Sequence, residues 1–231
     1  RTAGYLYLQG HAAVQAAVAL YDRERPNIEA GQAWAAAHAA NDDEAARLCS
    51  AYPDAGPIVR ELRQHPQERI RWLEPALEVA RRRGDRQAEG VHLANLGRAY
   101  ADQGATRRAM EYYEQALRIA REIPDRREEG QVLVSLGRAC ADQRQTCRAV
   151  GYFEQALRIA REIGDRRGEG QALGSLGSAF LGLSKPHLAI QYHEQRLIIS
   201  REIGDRRGEG ADLGNLGKAY GALGDCDLDI K

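Results

Sequence analysis

Apolar and small residues recur along most of this chain at spacings of three and four, and whole sets of them return forty positions later. Leu93, Leu96, Ala99 and Tyr100 come back as Leu133, Leu136, Ala139 and Cys140, then as Leu173, Leu176, Ala179 and Phe180, then as Leu213, Leu216, Ala219 and Tyr220. Such spacing draws one apolar stripe along a helix. A second set, Met110, Tyr112, Tyr113, Ala116, Leu117, Ile119 and Ala120, stands forty after Ile70, Trp72, Leu73, Ala76, Leu77, Val79 and Ala80. Two amphipathic helices in each period, repeated in register, announce an array of small units in place of one closed core.

Capping chemistry divides the array. Asp85, Asp125, Asp165 and Asp205 each follow Gly or Pro and precede an apolar-periodic run, the order of a helix stop, an N-cap and a new helix. The first helix of each unit should stop near Gly104, Arg144, Ser184 and Gly224, and Thr106, Thr146 or Ser184-Lys185-Pro186 should open the second. The pattern yields an N-terminal helical segment over 1–64, the second helix of a degenerate repeat over 65–84, full repeats over 85–124, 125–164 and 165–204, and a partial repeat over 205–231. Within the N-terminal segment a helix is predicted from about Gly4 to Arg23. Pro26 should start the next one, which buries Ile28, Ala33, Trp34 and Ala37. Asn41-Asp42-Asp43 caps a third helix, Tyr52–Pro57 breaks it, and a short fourth covers about Ile58–Gln64.

Gly97, Gly137, Gly177 and Gly217 sit inside the first helices, where each costs about 1 kcal/mol relative to Ala. Close approach by a neighbouring helix would offset that cost, with Ala109, Ala149 and Ala189 as the matching small positions on the second helices.

Composition narrows the function classes. The 231 residues carry 33 basic and 33 acidic side chains, so the basic excess of a dedicated nucleic-acid binder is missing. Cys49, Cys140, Cys147 and Cys226 form no C-x-x-C pair and read as reduced thiols of a cytosolic protein. No apolar run reaches membrane-spanning length and no signal peptide is recognisable. The chain starts at Arg1 without Met and ends in mid-pattern, which is expected of a piece of something larger.

The residues Leu96, Gly97, Tyr100, Ala109, Tyr113 and Ala116, matched by Leu136, Gly137, Ala149, Phe153 and Ala156, resemble the tetratricopeptide repeat. The resemblance implies an all-α, right-handed superhelical solenoid of antiparallel helix pairs. In the third repeat His193 and Arg196 replace the later motif residues, so looser packing of its second helix is expected. The forty-residue period is similar to the long repeats of LGN/Pins-type adaptors. The wording G-D-R-x-G-E-G-x-x-L-G-N-L-G with A-x-x-Y-x-E-Q-x-L-x-I-A-R-E looks more like the sensor repeats of bacterial STAND (NB-ARC-type) signal-transduction ATPases. Residues 1–83 resemble the helical segment that precedes such repeats. Two functions follow: the sensor part of a larger signalling ATPase, or a stand-alone adaptor.

Superposing the chain on the repeat pattern places Asn95, Arg98, Gln131, Ser135, Arg138, Gln171, Ser175, Ser178, Asn215 and Lys218 on the concave side, a row of cations beside a row of hydrogen-bonding side chains. A protein or peptide partner with an acidic segment, or a part of the same polypeptide, fits such a groove. The same residues also fit a solvated groove whose cations pair with Asp102 and Asp142. The carboxylate clamp known for some tetratricopeptide proteins needs Lys and Asn where Ala94, Arg98, Gln171 and Ser175 stand, and is not expected.

Chemistry is sparse. Gly217-Lys218 lacks both the first glycine and the hydroxyl of a phosphate loop, and Gly168, Gly170 and Gly174 follow a helix where a dinucleotide fingerprint needs a strand. The six histidines show no metal-ligand spacing and read as satisfied or surface residues. Asp225, Asp227 and Asp229 begin like a calcium loop but have Ile230 where Gly is needed. Cys140 occupies an aromatic slot and reads as packing. No catalytic role and no cofactor is expected, and the open C-terminal end is a candidate for self-association.

Overall fold

The computed structural model describes residues 11–54 and 64–228, and all regular structure among them is helical. The helices are α1 (His11–His38), α2 (Asp43–Ala51), α3 (Pro66–Arg83), α4 (Arg86–Asp102), α5 (Thr106–Glu122), α6 (Arg126–Asp142), α7 (Thr146–Glu162), α8 (Arg166–Gly182), α9 (Pro186–Glu202) and α10 (Arg206–Leu228), with a 3-10 turn over Tyr52–Asp54. They fall into two compact units, Arg1–Ile119 and Ala120–Lys231.

In the N-terminal unit, α1 is one continuous helix with Pro26 inside it, where a helix end and a new start were expected. Pro26 lies on an exposed face, where the backbone bond it forfeits costs least. Arg25 secures the flanking turn by pairing with Glu29 at 2.6 Å and with Glu68 of α3 at 2.8 Å. The buried face of α1 also differs from the expected one. Ala17, Tyr21, Gln32 and Ala35 are buried, whereas Ala33 and Ala37 are exposed and Trp34 is 46% exposed and stacks on His38. An alanine-rich helix is weakly apolar all round, so its sequence does not single out a face. Asp42 caps α2 by accepting from Glu44 N and Ala45 N. The proposed start at Gly4 and all but Gln64 of the short helix expected over Ile58–Gln64 lie outside the described residues.

Local chemistry explains why the repeat helices begin and end where they do. The carboxylates of Asp85, Asp125, Asp165 and Asp205 accept the backbone N–H of Ala88, Glu128, Gly168 and Gly208 at 2.9–3.0 Å. Gly84, Gly164 and Gly204 precede them with φ between 65° and 70°, the left-handed stop that glycine adopts without strain. The second helices are plainer: Gln145 and Lys185 stand at the N-caps of α7 and α9 without a side-chain cap bond. Helix α10 does not stop at Gly224 but runs on to Leu228.

Gly97, Gly137 and Gly177 make room for a ring, not for a neighbouring backbone. A Cβ at Gly97 would lie 2.6 Å from the Tyr113 ring, one at Gly137 2.3 Å from Phe153, and one at Gly177 2.6 Å from His193. This corrects the expectation that Ala109, Ala149 and Ala189 face the glycines: those alanines are fully buried, but the ring four residues later fills the notch. Gly90, Gly130 and Gly170 meet Ile119, Ile159 and Ile199 at 3.1–3.5 Å in the same way.

A charged clamp recurs at the turn between repeats. Glu129 is buried between Arg121 at 2.9 Å and Arg126 at 2.6 Å, and Arg126 also pairs with Glu162. Glu169 repeats this with Arg161, Arg166 and Glu202.

Candidate binding cleft

In the C-terminal unit, α6 and α8 line a cleft of about 450 Å³ whose floor comes from α7 and α9. Arg138, Asp142, Gln171, Gly174, Ser175 and Ser178 stand on its walls, with Thr146, Phe153 and Arg196 completing it. Of the residues singled out from sequence, Arg138, Gln171, Ser175 and Ser178 therefore meet here. Gln131 lines a narrow neighbouring cleft together with Gln171. Asn215 and Lys218 lie on α10 outside both, and Asn95 and Arg98 lie on α4 of the other unit. Ser135 and Ser175 each donate to the carbonyl one turn back, of Gln131 and Gln171, at 3.1 and 2.9 Å. Asp102, one of the two carboxylates that could have paired with groove cations, is paired with Arg69 of α3.

Arg196 was not foreseen at this site. Its stem crosses α8 where Gly174 has no side chain, since a Cβ there would lie 2.6 Å from Arg196 Cδ. Its guanidinium pairs with the carboxylate of Asp212 at 2.9 Å. Asp212 is fully buried and also accepts from the Ser200 hydroxyl at 3.0 Å. Burial pushes the Asp212 carboxyl above its ordinary value, against the opposing pull of Arg196 and the Ser200 hydrogen bond.

His193 is fully buried beside this group, and both ring nitrogens lack a hydrogen-bond partner. Its Nδ1 stands 3.8 Å from Asp212, beyond hydrogen-bonding distance. Burial depresses its basicity, with Asp212 opposing and Arg196 reinforcing. Neither a satisfied nor a surface histidine, it serves as the ring that fills the Gly177 notch. The expected loosening of the third repeat is absent at this position.

Among the described residues, no three His, Cys, Asp or Glu side chains gather as metal ligands, and no helix is long and apolar enough to cross a membrane. The calcium-like aspartates fall where side chains are not described. Cys49 and Cys140 are buried and Cys147 is exposed.

Paired helices, leucine-glycine stripes and ring-filled notches define a helical-repeat interaction scaffold. The tetratricopeptide repeat family model matches residues 66–122 and 128–202, and the chain belongs to that family. Tetratricopeptide repeats are in general protein-interaction modules. A comparison with curated protein sequences yields no match. Among solved structures, BtubC (BKLC) from P. vanneervenii is similar with a TM-score of 0.73 and 21% identity, over 88% of this chain and 84% of that one. Aspartyl phosphate phosphatase F from Bacillus subtilis is similar with a TM-score of 0.67 and 19% identity, over 81% of this chain and 50% of that one. The STAND protein with a tetratricopeptide repeat sensor from Pyrococcus horikoshii is similar with a TM-score of 0.52 and 18% identity, over 88% of this chain and 38% of that one. At these identities the likeness is one of fold.

Proposed function

We propose that this chain binds an acidic protein segment in the cleft of its C-terminal unit, as the sensor part of a larger signal-transduction ATPase. The observation that carries the reading is that Arg138 lines one cleft with Gln171, Ser175 and Ser178, beside Arg196, whose guanidinium is paired with Asp212. Guanidinium groups match carboxylates in charge and in the geometry of paired hydrogen bonds. The hydroxyl and amide side chains add neutral partners for a peptide backbone. The assignment to a signalling ATPase is supported by the wording of the repeats and by the fold shared with a STAND repeat sensor.

A fluorescein-labelled Glu-rich peptide of about a dozen residues, with its Gln-for-Glu counterpart as control, tests the groove by anisotropy. The acidic peptide should bind, and Arg138→Glu should weaken it by about tenfold or more at unchanged helicity. Equal binding of the Gln counterpart, or no binding of either, would refute an acidic ligand. A nucleotide-binding domain encoded upstream of Arg1 in the same reading frame would support the ATPase context, and its absence would leave an adaptor.

A further inference from the structure

Beneath the cleft lies a buried charge group whose balance the contents of the cleft can change. Arg196 belongs to both: it lines the cleft, and its Nη1 stands 2.9 Å from Oδ1 of the fully buried Asp212. The passage between them is open because position 174 has no side chain. A Cβ on Gly174 would come within 2.6–2.9 Å of Arg196 Cδ, Nη1 and Nε. Where the third repeat has Gly174, Arg196 and Ser200, the preceding one has Val134, Ala156 and Ala160, and Asp212 stands forty after Ala172.

The acid is held loosely for so buried a group. Its Oδ1, although close to the guanidinium, accepts no hydrogen bond among the described residues, so the approach is one of charge without alignment. Nδ1 of His193, 3.8 Å from that same oxygen, is likewise without a hydrogen-bond partner, and the Ser200 hydroxyl engages only Oδ2. An oxygen and a nitrogen therefore stand side by side with room for one more proton. Arg196, His193 and Ser200, all on α9, are the groups that act on Asp212. On α8, Glu169 is clamped between Arg161 and Arg166, and Arg167 is exposed. On α10, Glu209 pairs with Arg201, and Arg206, Arg207 and Lys218 are exposed.

A buried carboxylate is tolerated only while a positive charge answers it, and here Arg196 is that charge. A carboxylate arriving in the cleft competes for the same guanidinium. Whether it draws the guanidinium outward or shares it, the buried group is left short of positive charge. We propose that the cleft is proton-coupled: when an acidic occupant engages Arg196, the Asp212–His193 pair takes up one proton. Binding and acidification then favour each other, as linkage requires. The coupling rests on the acidic occupant proposed above and makes its affinity depend on pH.

Isothermal titration calorimetry of the full chain with the unlabelled Glu-rich peptide, in two buffers of different ionisation enthalpy, counts the protons exchanged. Between about pH 7 and about pH 6, where the peptide's glutamates stay ionised, roughly half a proton or more should be taken up per peptide. Affinity should then rise about threefold or more for each unit fall in pH. Asp142 is the other carboxylate on the cleft wall, so Asp142→Asn is the control and should retain the uptake. His193→Phe with Asp212→Asn should abolish it and bind more tightly than the parent at neutral pH, with folding checked by circular dichroism. Should that double variant not fold, the parent and Asp142→Asn still decide. Binding without proton uptake, or uptake lost with Asp142→Asn, would overturn the coupling and leave the cleft reading intact. No binding of the Glu-rich peptide, or equal binding of its Gln counterpart, would overturn both.

Discussion

Two joints of the C-terminal unit share one backbone plan and differ in chemistry. Between α7 and α8 the core is made by Phe153, Ala156, Ala160 and Ala172, all buried. Forty positions on, between α9 and α10, the same places hold His193, Arg196, Ser200 and Asp212. The apolar joint is held by area removed from water and by close packing, neither of which involves a titrating group. The polar joint encloses a carboxylate that is tolerable only while a guanidinium and a hydroxyl answer it. The difference teaches that the backbone frame tolerates either solution: both joints reach the cleft, the apolar one through Phe153 and the polar one through Arg196, which brings a charge to it.

Removing the cation should therefore break the polar joint most severely. Arg196→Ala leaves Asp212 buried with only the Ser200 hydroxyl to answer it and should cost about 3 kcal/mol in denaturant unfolding. Adding Asp212→Ala restores the alanines of the apolar joint and should recover most of the loss. If the single variant unfolds like the parent, the pair is not holding the joint.

Overpacking the apolar joint comes next. Gly137→Val drives a branched side chain into the Phe153 ring and should destabilise by about 1–3 kcal/mol, read as a lower midpoint. An unchanged midpoint would show that the ring moves aside freely.

A pH series separates the two joints by a smaller margin. His193 is less basic in the fold than the ordinary histidine value of 6.5, so the unfolded chain binds the extra proton more readily. Its contribution to stability is present above that value and is lost as the pH falls through the window down to the depressed folded value. Asp212 has the opposite sign. Its folded pKa lies above the ordinary carboxylate value, so its contribution is greatest when protonated and is lost as the pH rises through the raised value. Where the two windows overlap they partly cancel. His193→Phe, which copies Phe153, should flatten the fall in melting temperature between about pH 7 and about pH 5. A profile identical to the parent would remove His193 from the account. The smallest effect is expected at Gly217, where Gly217→Ala should raise stability by about 0.5–1 kcal/mol, helix propensity being unopposed by any neighbour among the described residues.

Much of the frame was legible in the residues because it rests on local chemistry repeated in register. The Asp125 and Asp165 caps, the Gly164 stop and the Leu133 and Leu173 stripe each act within a turn or two of chain. What escaped was nonlocal or ambiguous. Trp34 was misplaced because α1 is alanine-rich on every side, and Pro26 because its helix continues where a proline usually starts one. The Asp212 group escaped because its members come from two helices and none is unusual alone. A signal did exist in the columns of the repeat: Ser200 stands below Ala160 and Asp212 below Ala172, two simultaneous polar changes at buried positions. Arg196 departs from the motif in the sequence itself, but its route into the cleft depends on Gly174, which only the packing reveals.

The clamp around Glu169 has a consequence for how such a chain can grow. Arg161 comes from one repeat and Glu169, Arg166 and Glu202 from the next, so the clamp straddles the border at Gly164-Asp165. Each repeat carries both the arginine that reaches forward and the glutamate that receives the one behind. A forty-residue duplication cut at that border would regenerate a complete clamp at every new seam. Gene copying alone could therefore lengthen the array, without any compensating change elsewhere.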